Sequence, residues 1–323
     1  MISCATCSAL ATFGWISAAA AGERYTRFLV DGWSAIPTGV NADGYIAGSD
    51  TAGAGFLRAP DGTVATFIPS GSTWAYVSGL NNGEEISGYT DEGHGFVRTA
   101  DGTITSFDPQ GSVFTFVYGI NGEGTVTGSW DDSGDTGHGF VRTADGTISS
   151  FHYPGATYTV GYGIDGKGAV AGWWGNAVVM HGLLRTAGGR LTSFDCPGAS
   201  TTLGIGINRA GTIAGYCWFN DGFHGFFRTA DGMITTFDPP DSHGWTEVSG
   251  INDKGAITGW YYDARGKSHG FVRSPAGTIE EFQVPGHHPG DYRTVPTAIN
   301  DAGVTVGTAS RFRTSTYGFL RTK

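Results

Sequence analysis

The chain has 323 residues, of which 55 are glycine, 15% are charged and 13% are aromatic, and its formal net charge is −10. This acidic balance excludes the basic footprint of a nucleic-acid-binding protein, and the many aromatic residues argue against intrinsic disorder. No stretch has the run of apolar residues that a membrane-spanning helix needs. We therefore predict a folded domain with no nucleic-acid partner and no membrane span, and the oligomeric state stays open.

The first element along the chain is an N-terminal segment, residues 1–22, that differs from the rest. It is mildly apolar from Leu10 to Ala21 and ends in a run of alanines, which resembles the later part of a secretory signal peptide. The basic start of such a peptide is missing, because the first positive side chain is Arg24. A signal-like segment and a disordered extension therefore remain equal alternatives.

From residue 23 onward, two motifs recur with a period of 40 to 48 residues, which is typical of β-propeller blades. The first is Gly-apolar-Asn with a second glycine nine residues after the first, and it begins at Gly39, Gly79, Gly119, Gly163, Gly206, Gly250 and, with alanine, at Ala298. Asp165 replaces the asparagine in the fourth copy. The second is Gly-Phe-apolar-Arg, which begins at Gly55, Gly95, Gly139, Gly225, Gly270 and Gly318, with leucine for phenylalanine after Gly182.

Each period contains four short strand signals, which we letter a to d in chain order. In one repeat they are Thr103–Phe107, Phe116–Ile120, Thr125–Gly128 and Gly139–Arg142. Alternation and β-branched residues favour strands, and no segment has a helical period. The pattern predicts an all-β, seven-bladed β-propeller with four antiparallel strands per blade, formed as a single domain by residues 23–323.

The connections between strands predict how the blades are assembled. A tight Asp-Gly hairpin joins strand d to the next strand a, so these two strands share a blade. Because the chain begins with strand a, Tyr25–Val30, and ends with strand d, Gly318–Thr322, we expect these two to pair and close the ring. We expect strand b innermost, where its glycines let backbones approach each other, and strand a outermost.

Loop lengths predict the working face. The b-to-c and d-to-a joins are constant, whereas the a-to-b and c-to-d loops vary between repeats. In an antiparallel meander both variable loops leave the same side, which we call the top face, and variable loops on a rigid frame commonly carry function.

The predicted top loops are rich in aromatic residues. Large rings must fill part of the space between blades, and the remainder would form an exposed floor suited to the apolar faces of sugars. The predicted ligand-binding residues are Trp74, Trp130, Trp173, Trp174, Trp218, Trp245, Trp260, Tyr261, Tyr292, Arg293 and Arg311.

Ionisable residues that break the repeat also concentrate in these loops. The candidates for acid–base catalysis are Asp241, His243, Glu247, His287, His288 and Asp291. Paired carboxylates would suit a glycoside hydrolase, and a histidine base would suit a lyase. Asp131, Asp132 and Asp135 could supply oxygen ligands to Ca²⁺, although the EF-hand pattern is absent and solvated loop charge is the simpler interpretation. No other cofactor is expected.

Residues that repeat in every blade are expected to be structural, because a working site is normally asymmetric. The strand-d arginines should bond carbonyls or carboxylates between blades; they are Arg58, Arg98, Arg142, Arg185, Arg228, Arg273 and Arg321. The repeated histidines sit in different blades and are also expected to be structural; they are His94, His138, His181, His224 and His269. Cys196 and Cys217 fall in one repeat and could form a disulfide, which would fit an oxidising compartment.

The unit His-Gly-Phe-Val-Arg-Thr-Ala-Asp-Gly-Thr-Ile, at His94–Ile104 and His138–Ile148, resembles the bacterial HAF extracellular repeat, named for a His-Ala-Phe tripeptide. Glycine replaces that alanine throughout, and Ala54 and Tyr317 replace the histidine in the first and last repeats. The resemblance covers residues 24–323. It implies an extracellular, periplasmic or envelope-associated protein, and it implies no particular reaction.

Three functions fit these features. The first is a secreted propeller that binds a glycan or another extracellular ligand through its aromatic top face. The second is an enzyme, a hydrolase or lyase acting on a polysaccharide or a small molecule at the mouth of the central channel. The third is a structural or protein-interaction module of the cell envelope. A fold that supports many functions does not choose among them.

Overall fold

The computed structural model describes residues 15–18, 23–176, 178–285, 292–311 and 315–323; for Trp15–Ala18, Tyr292, Arg311 and Ser315 it gives the backbone alone. Within these ranges every regular element is a β-strand and no helix occurs, as the all-β prediction requires. Accordingly, no described segment forms a helix long and apolar enough to cross a membrane.

Strand β1 (Trp15–Ala18) precedes strands that repeat in the order a, b, c, d. The a strands are β2 (Arg24–Val30), β6 (Val64–Phe67), β10 (Ile104–Phe107), β14 (Ile148–Phe151), β18 (Leu191–Phe194), β22 (Ile234–Phe237) and β26 (Ile279–Phe282). The b strands are β3 (Trp33–Val40), β7 (Ala75–Leu80), β11 (Phe114–Ile120), β15 (Tyr158–Ile164), β19 (Thr201–Ile207), β23 (Thr246–Ile251) and β27 (Tyr292–Ile299). The c strands are β4 (Ile46–Asp50), β8 (Ile86–Thr90), β12 (Val126–Asp131), β16 (Val170–Gly175), β20 (Ile213–Phe219), β24 (Ile257–Tyr262) and β28 (Thr305–Arg311). The d strands are β5 (Gly55–Arg58), β9 (Gly95–Arg98), β13 (Gly137–Arg142), β17 (Met180–Arg185), β21 (Gly222–Arg228), β25 (Ser268–Arg273) and β29 (Ser315–Thr322).

The strands pair in antiparallel units of four, in the order b, c, d, a. Strand d and the following strand a share a unit, as predicted: Gly95 lies opposite Phe107, and Thr99 N–H donates to Thr103 O at 2.9 Å in the turn between them. Three of the five hydrogen-bonded sheets are single units of this kind. The eight-stranded sheet joins two units by one parallel bridge, and the nine-stranded sheet joins two units through the β2–β3 hairpin.

The first and last repeats meet in that nine-stranded sheet. Strand β2 pairs antiparallel with β29, so that Tyr25 lies opposite Arg321 and Phe28 lies opposite Gly318. The backbone of β1 then pairs with the free side of β2. A strand within residues 1–22 was not predicted, because its apolar residues were interpreted as part of a signal-like or disordered segment.

The hydrophobic core lies between neighbouring units. Ala47 and Leu57 of one unit pack with Val77, Ile86 and Phe96 of the next. Each b strand contacts the b strand of the following unit, and β27 contacts β3. The b strands are therefore innermost, as their glycines predicted.

The Gly-Phe-apolar-Arg motif builds these interfaces. Gly139 lies beneath the ring of Phe151 on the adjacent strand a, where a β-carbon would come within 2.2 Å of the ring. Phe140 is fully buried and packs edge-on against Phe107 of the preceding unit, with ring centroids 5.9 Å apart. Burying one such side chain contributes about 1.5–3 kcal/mol. The motif therefore recurs because each unit needs the same packing.

The repeated arginines correct our expectation of hydrogen bonds between units. Each guanidinium lies over the strand-a phenylalanine ring of the preceding unit, as Arg142 lies 4.8 Å from the centroid of Phe107. In six of the seven arginines, all but Arg321, Nη1 donates to the carbonyl of the next residue along the chain, such as Thr143 O at 3.4 Å from Arg142. A carboxylate joins this arrangement at Arg321, which contacts Glu23 and Glu280. The arginines thus join units through cation–π contacts.

The Asn-x-x-Gly turns form a series of hydrogen bonds from unit to unit. Each asparagine Nδ2 donates to the carbonyl of the corresponding residue in the next unit, as Asn121 does to Asp165 O at 2.9 Å and Asn300 does to Asn41 O at 2.8 Å. Asp165 cannot continue the series, because an ionised carboxylate has no donor. Within the described residues, the link from position 165 to Asn208 O is the one that is missing.

We expect Asp165→Asn to raise the free energy of unfolding by about 1 kcal/mol, because it supplies the missing donor to a buried carbonyl. The exposed turn residue Asp43 provides a control for loss of one negative charge. Equilibrium urea denaturation of both variants measures the effect. An equal gain from Asp43→Asn would assign the stabilisation to net charge and not to the link.

Cys196 and Cys217 form a disulfide, with Cα atoms 6.5 Å apart. Both residues are buried in the core between the units that contain Phe194 and Phe226. The bond therefore closes a loop within one repeat, as the sequence allowed.

Candidate functional site

The variable loops lie together on one face. Ala75 N–H, at the end of an a-to-b loop, donates to Gly53 O of the preceding c-to-d loop at 2.8 Å. The same bond joins Thr115 to Gly93 at 2.8 Å in the next pair of units. These are the top-face loops that the alternating strand directions predicted.

A β-bulge in every b strand places one residue out of register along the innermost edge of the sheet. Such bulges redirect a side chain. The bulged residues are Thr38, Ser78, Tyr118, Tyr162, Ile205, Ser249 and Thr297. They differ from repeat to repeat, so the wall they line is asymmetric. Its most distinctive part is the pair Tyr118 and Tyr162, whose rings stack at 4.8 Å.

Five aromatic rings from neighbouring units form what we call the aromatic cluster: Trp218, Phe223, Trp245, Trp260 and Tyr262. Trp245 is its centre, because its ring centroid lies 4.6 Å from Phe223, 5.9 Å from Tyr262 and 6.4 Å from both other tryptophans. Trp218 keeps 39% of its surface exposed. The cluster therefore combines interblade packing with ring surface that a ligand can reach.

Glu247 contacts this aromatic cluster. Its side chain is half-buried, its strand partner across β24 is Trp260, and its Oε1 accepts a 2.8 Å hydrogen bond from Trp245 Nε1–H. Burial raises the pKa of Glu247, and the indole hydrogen bond offsets part of that rise. Burial and the charge of Glu247 both raise the pKa of Tyr162 and of Tyr216. The charge of Glu247 thus affects the pKa of two tyrosines that belong to two other units.

A second series of aromatic rings, from Trp74 to Tyr118, leads toward the aromatic cluster. Trp74 stacks on Tyr76 at 5.7 Å, and Tyr76 stacks on Tyr89 at 4.9 Å. Tyr89 meets Phe116 edge-on at 5.4 Å, and Phe116 stacks on Tyr118 at 6.5 Å. Through Tyr118, whose pKa burial raises to about 12, this series reaches Tyr162 and so approaches Glu247.

No protein-family model matches the sequence, and neither does any curated protein sequence. Among solved structures, the chain is similar to virginiamycin B lyase from Staphylococcus aureus, with a TM-score of 0.63 and 16% identity over 92% of this chain and 99% of that one. A streptogramin B lyase matches with a TM-score of 0.63 and 18% identity over 92% and 97% of the two chains. The Dos1 propeller matches with a TM-score of 0.51 and 7% identity over 85% and 75%. The fold is a β-propeller. At these identities the likeness establishes the fold and no activity.

Three predicted ligand-binding aromatics are structural elements of this propeller. Tyr261 is 2% exposed and Trp130 is 8% exposed, so both belong to the core between blades and correct our expectation of a reachable ring. Trp174 is also held by packing: it stacks on Tyr153 at 4.0 Å and on His181 at 4.5 Å. Tyr261 lies in β24 between Trp260 and Tyr262, both members of the aromatic cluster, and points to the opposite face of the strand.

Five other predicted ligand-binding residues are not members of the aromatic cluster. Trp74 starts the second aromatic series, and Trp173 is half-buried opposite Val160 on the adjacent strand. Arg293 is exposed on β27. Only the backbones of Tyr292 and Arg311 are described, and they lie opposite each other in β27 and β28.

The predicted catalytic residues do not form one group among the described residues. Glu247 points into the aromatic surface, whereas Asp241 and His243 are exposed on the loop before it. Two backbone N–H groups hold that loop: Asp241 N–H donates to the side-chain Oε1 of Glu281, and His243 N–H donates to the carbonyl oxygen of Tyr262. His287, His288 and Asp291 lie outside the described residues.

The acidic loop is organised by its own contacts. Asp132 Oδ1 accepts N–H groups from Gly134 and Thr136, and its Oδ2 pairs with His138 at 3.1 Å. Burial and the neighbouring charges of Asp135 and Asp132 raise the pKa of Asp131. Within the ranges that the structure describes, no three histidine, cysteine or acidic side chains converge to hold a metal ion. The calcium site predicted from Asp131, Asp132 and Asp135 is therefore not formed by these residues.

The repeated histidines are each paired with an aspartate. His94 contacts Asp108 at 2.7 Å and His269 contacts Asp263 at 3.0 Å, each within its own blade. The same kind of pair forms at His138, His181 and His224. This arrangement agrees with their expected structural role.

Sequence reasoning missed Tyr118, Tyr162, Tyr216 and Phe223. Tyr118 and Tyr162 each precede the first glycine of the Gly-apolar-Asn motif. The residue type at this position varies between repeats, whereas the motif itself is repeated, and this variation could have identified them. Tyr216 and Phe223 carry no such signal, because their approach to Glu247 depends on how two strands meet across blades.

Proposed function

We propose that this protein binds a small extracellular ligand, in the first instance a glycan, in the aromatic mouth around Glu247. The observation that carries the proposal is the aromatic cluster on the variable face, with the half-buried carboxyl of Glu247 bonded to its central residue, Trp245. Flat rings take the apolar faces of sugars, and a few polar groups set their orientation.

The frame we propose for this site is a closed ring of seven blades. The units found in the five sheets number seven when each set of b, c, d and a strands is counted once. Closure is supported by the β2–β29 pairing, by Thr297 Oγ1–H donating to Pro37 O at 2.7 Å, and by a shared core of Val306 with Phe56. Such a ring leaves few free strand edges and holds the mouth rigid.

We also propose that the chain belongs with the HAF-type extracellular repeats and works outside the cytoplasm. The repeated His-Gly-Phe-Val-Arg unit supports the first part. The buried Cys196–Cys217 disulfide supports the second, because such bonds persist in oxidising compartments.

A glycan array followed by titration calorimetry tests the binding proposal. We expect Trp260→Ala to weaken binding roughly tenfold or more, since a buried aromatic contact contributes about 1.5–3 kcal/mol. Trp33→Ala is the matched control, because Trp33 is 54% exposed and lies outside the cluster. Equal effects of the two substitutions, or no glycan bound at all, would contradict the proposal.

An acid–base enzyme is the second candidate. It is favoured by a carboxyl of raised pKa beside two buried phenols, because such a group can donate a proton near neutral pH. Virginiamycin B lyase and streptogramin B lyase show that this fold can carry lyases. Product formation from streptogramins or polysaccharides, lost on Glu247→Gln and kept on Asp241→Asn, would support this function over simple binding.

A further inference from the structure

Resting on the proposed function, we infer that the ligand of the aromatic mouth is cationic, an amino-sugar glycan whose ammonium group pairs with the Glu247 carboxylate. The inference comes from three features of the site: the unmet charge of that carboxylate, the orientation of the rings around it, and the charge of the whole chain.

Among the described residues, the carboxylate of Glu247 has a hydrogen-bond donor but no positive partner. Trp245 Nε1–H occupies Oε1 at 2.8 Å. Among the residues that the structure describes, the ion pairs of lysine, arginine and histidine involve other carboxylates and none reaches Glu247. A half-buried charge without a partner is costly, so its retention favours a partner supplied by the ligand.

The electrostatic effects around Glu247 point in the same direction. Burial raises its pKa, and no cation in the described part of the chain lowers it. Its negative charge in turn raises the pKa of Tyr162 and Tyr216 beyond the effect of burial, so the phenols around it stay neutral and uncharged. An ammonium group placed here would relieve the desolvation of the carboxylate.

The rings supply the rest of a cation site. Trp245, Trp260 and Tyr262 lie within 6.4 Å of one another on the same side as Glu247. Aromatic faces carry negative potential and attract cations, tryptophan most strongly. Rings and carboxylate together therefore match a protonated amine carried on a flat, partly apolar frame, which is the chemistry of an amino sugar.

The whole chain favours the approach of such a ligand. Its formal net charge is −10, and an acidic protein raises the local concentration of cations by long-range attraction. A neutral glycan would obtain binding free energy from contact with the rings alone and would leave the charge of Glu247 unpaired.

Titration calorimetry with two matched probes tests the inference: a glucosamine tetramer and an N-acetylglucosamine tetramer, near neutral pH. We expect the amine form to bind the wild-type protein roughly tenfold more tightly. Glu247→Gln should remove this preference, because it weakens binding of the amine form much more than binding of the acetylated form. Glu123→Gln, a change of the same charge in an exposed turn on the opposite face, should have no effect.

The outcomes separate the two proposals. If the acetylated tetramer binds as well as the amine, or if Glu247→Gln keeps the preference, the cationic ligand is wrong while glycan binding stands. If neither tetramer binds and the glycan array is empty, both proposals fail. A second measurement on the wild-type protein avoids dependence on the folding of the variant: tetramethylammonium chloride should compete with the amine probe more strongly than sodium chloride does, and equal competition would overturn the inference.

Discussion

Replacing Arg321 with methionine is expected to lower the free energy of unfolding by about 3–5 kcal/mol, the cost of breaking a buried ion pair from one side. Arg321 is fully buried in β29, contacts the carboxylates of Glu23 and Glu280, and lies 4.4 Å from the ring centroid of Phe282. It thus connects the last strand to Glu23, which precedes the first a strand, and to Glu280 in β26 of the preceding unit. Without it, the carboxylate of Glu23 loses its cation, whereas Glu280 keeps its ion pair with Lys323.

Arg58→Met is the control for this prediction. Arg58 makes the same cation–π contact, with its guanidinium 5.1 Å from the ring centroid of Phe28. It also donates a hydrogen bond to Ala59 O, and no carboxylate of the described residues forms an ion pair with it. We expect it to cost about 1–2 kcal/mol, the range of a cation–π contact. Chemical denaturation of both variants measures the difference, and equal losses would show that the ion pairs add nothing to stability.

The same cluster predicts how stability depends on pH. Burial alone would raise the pKa of Glu23, but its contacts with Glu280, Arg321 and Tyr25 outweigh this effect and lower it. A lowered folded-state pKa adds stability above the ordinary value of 4.5, and that stability is lost as the pH falls through the folded-state value. As the pH falls from above 4.5 through the folded-state pKa of Glu23, the wild-type protein should therefore lose more stability than Arg321→Met does.

Gly128→Ala is expected to destabilise the protein by about 3 kcal/mol, at the upper end of the cost of overpacking. A β-carbon at Gly128 would lie 1.9 Å from the carbonyl oxygen of Phe116, because the bulge in β11 presses that carbonyl against β12. A backbone atom cannot move aside as a flexible side chain can, so the bulge itself must change. Because Phe116 and Tyr118 depend on that bulge, glycan binding should weaken as well.

Gly122→Ala provides the matched control, since a β-carbon there meets no atom within 4 Å. Thermal denaturation followed by circular dichroism compares the two variants. A Gly128→Ala protein as stable as Gly122→Ala would mean that the bulge does not constrain this glycine.

Periodic features of the sequence predicted most of the fold. Gly-Phe-apolar-Arg repeats because Phe140 and its counterparts must meet the same ring in every neighbouring unit, so packing between identical units appears directly as a motif. The pairing of Gly95 with Phe107 followed from a short turn, which leaves no other partner in reach. Expectations of this kind depend on local geometry that every repeat shares.

The candidate site was predicted less completely. The sequence assigns both Trp130 and Trp245 to variable top-face loops. Trp130 is buried in the core and its Nε1–H donates to Ser150, whereas Trp245 lies in the aromatic cluster and donates to Glu247. Which face of a strand a ring occupies depends on register, and one bulge reverses it. Loop composition therefore located the face of the protein that carries aromatic residues, but not which rings remain reachable.

What the sequence by itself determined is the repeating unit: its four strands, their hairpins, and the face on which the variable loops emerge, because these depend on contacts between residues close along the chain. Only the tertiary structure decided that Glu247 lies near Tyr162 and Tyr216, and that Arg321 meets Glu23. These residues are brought together by the arrangement of the blades, and no local pattern records distances between residues of different repeats.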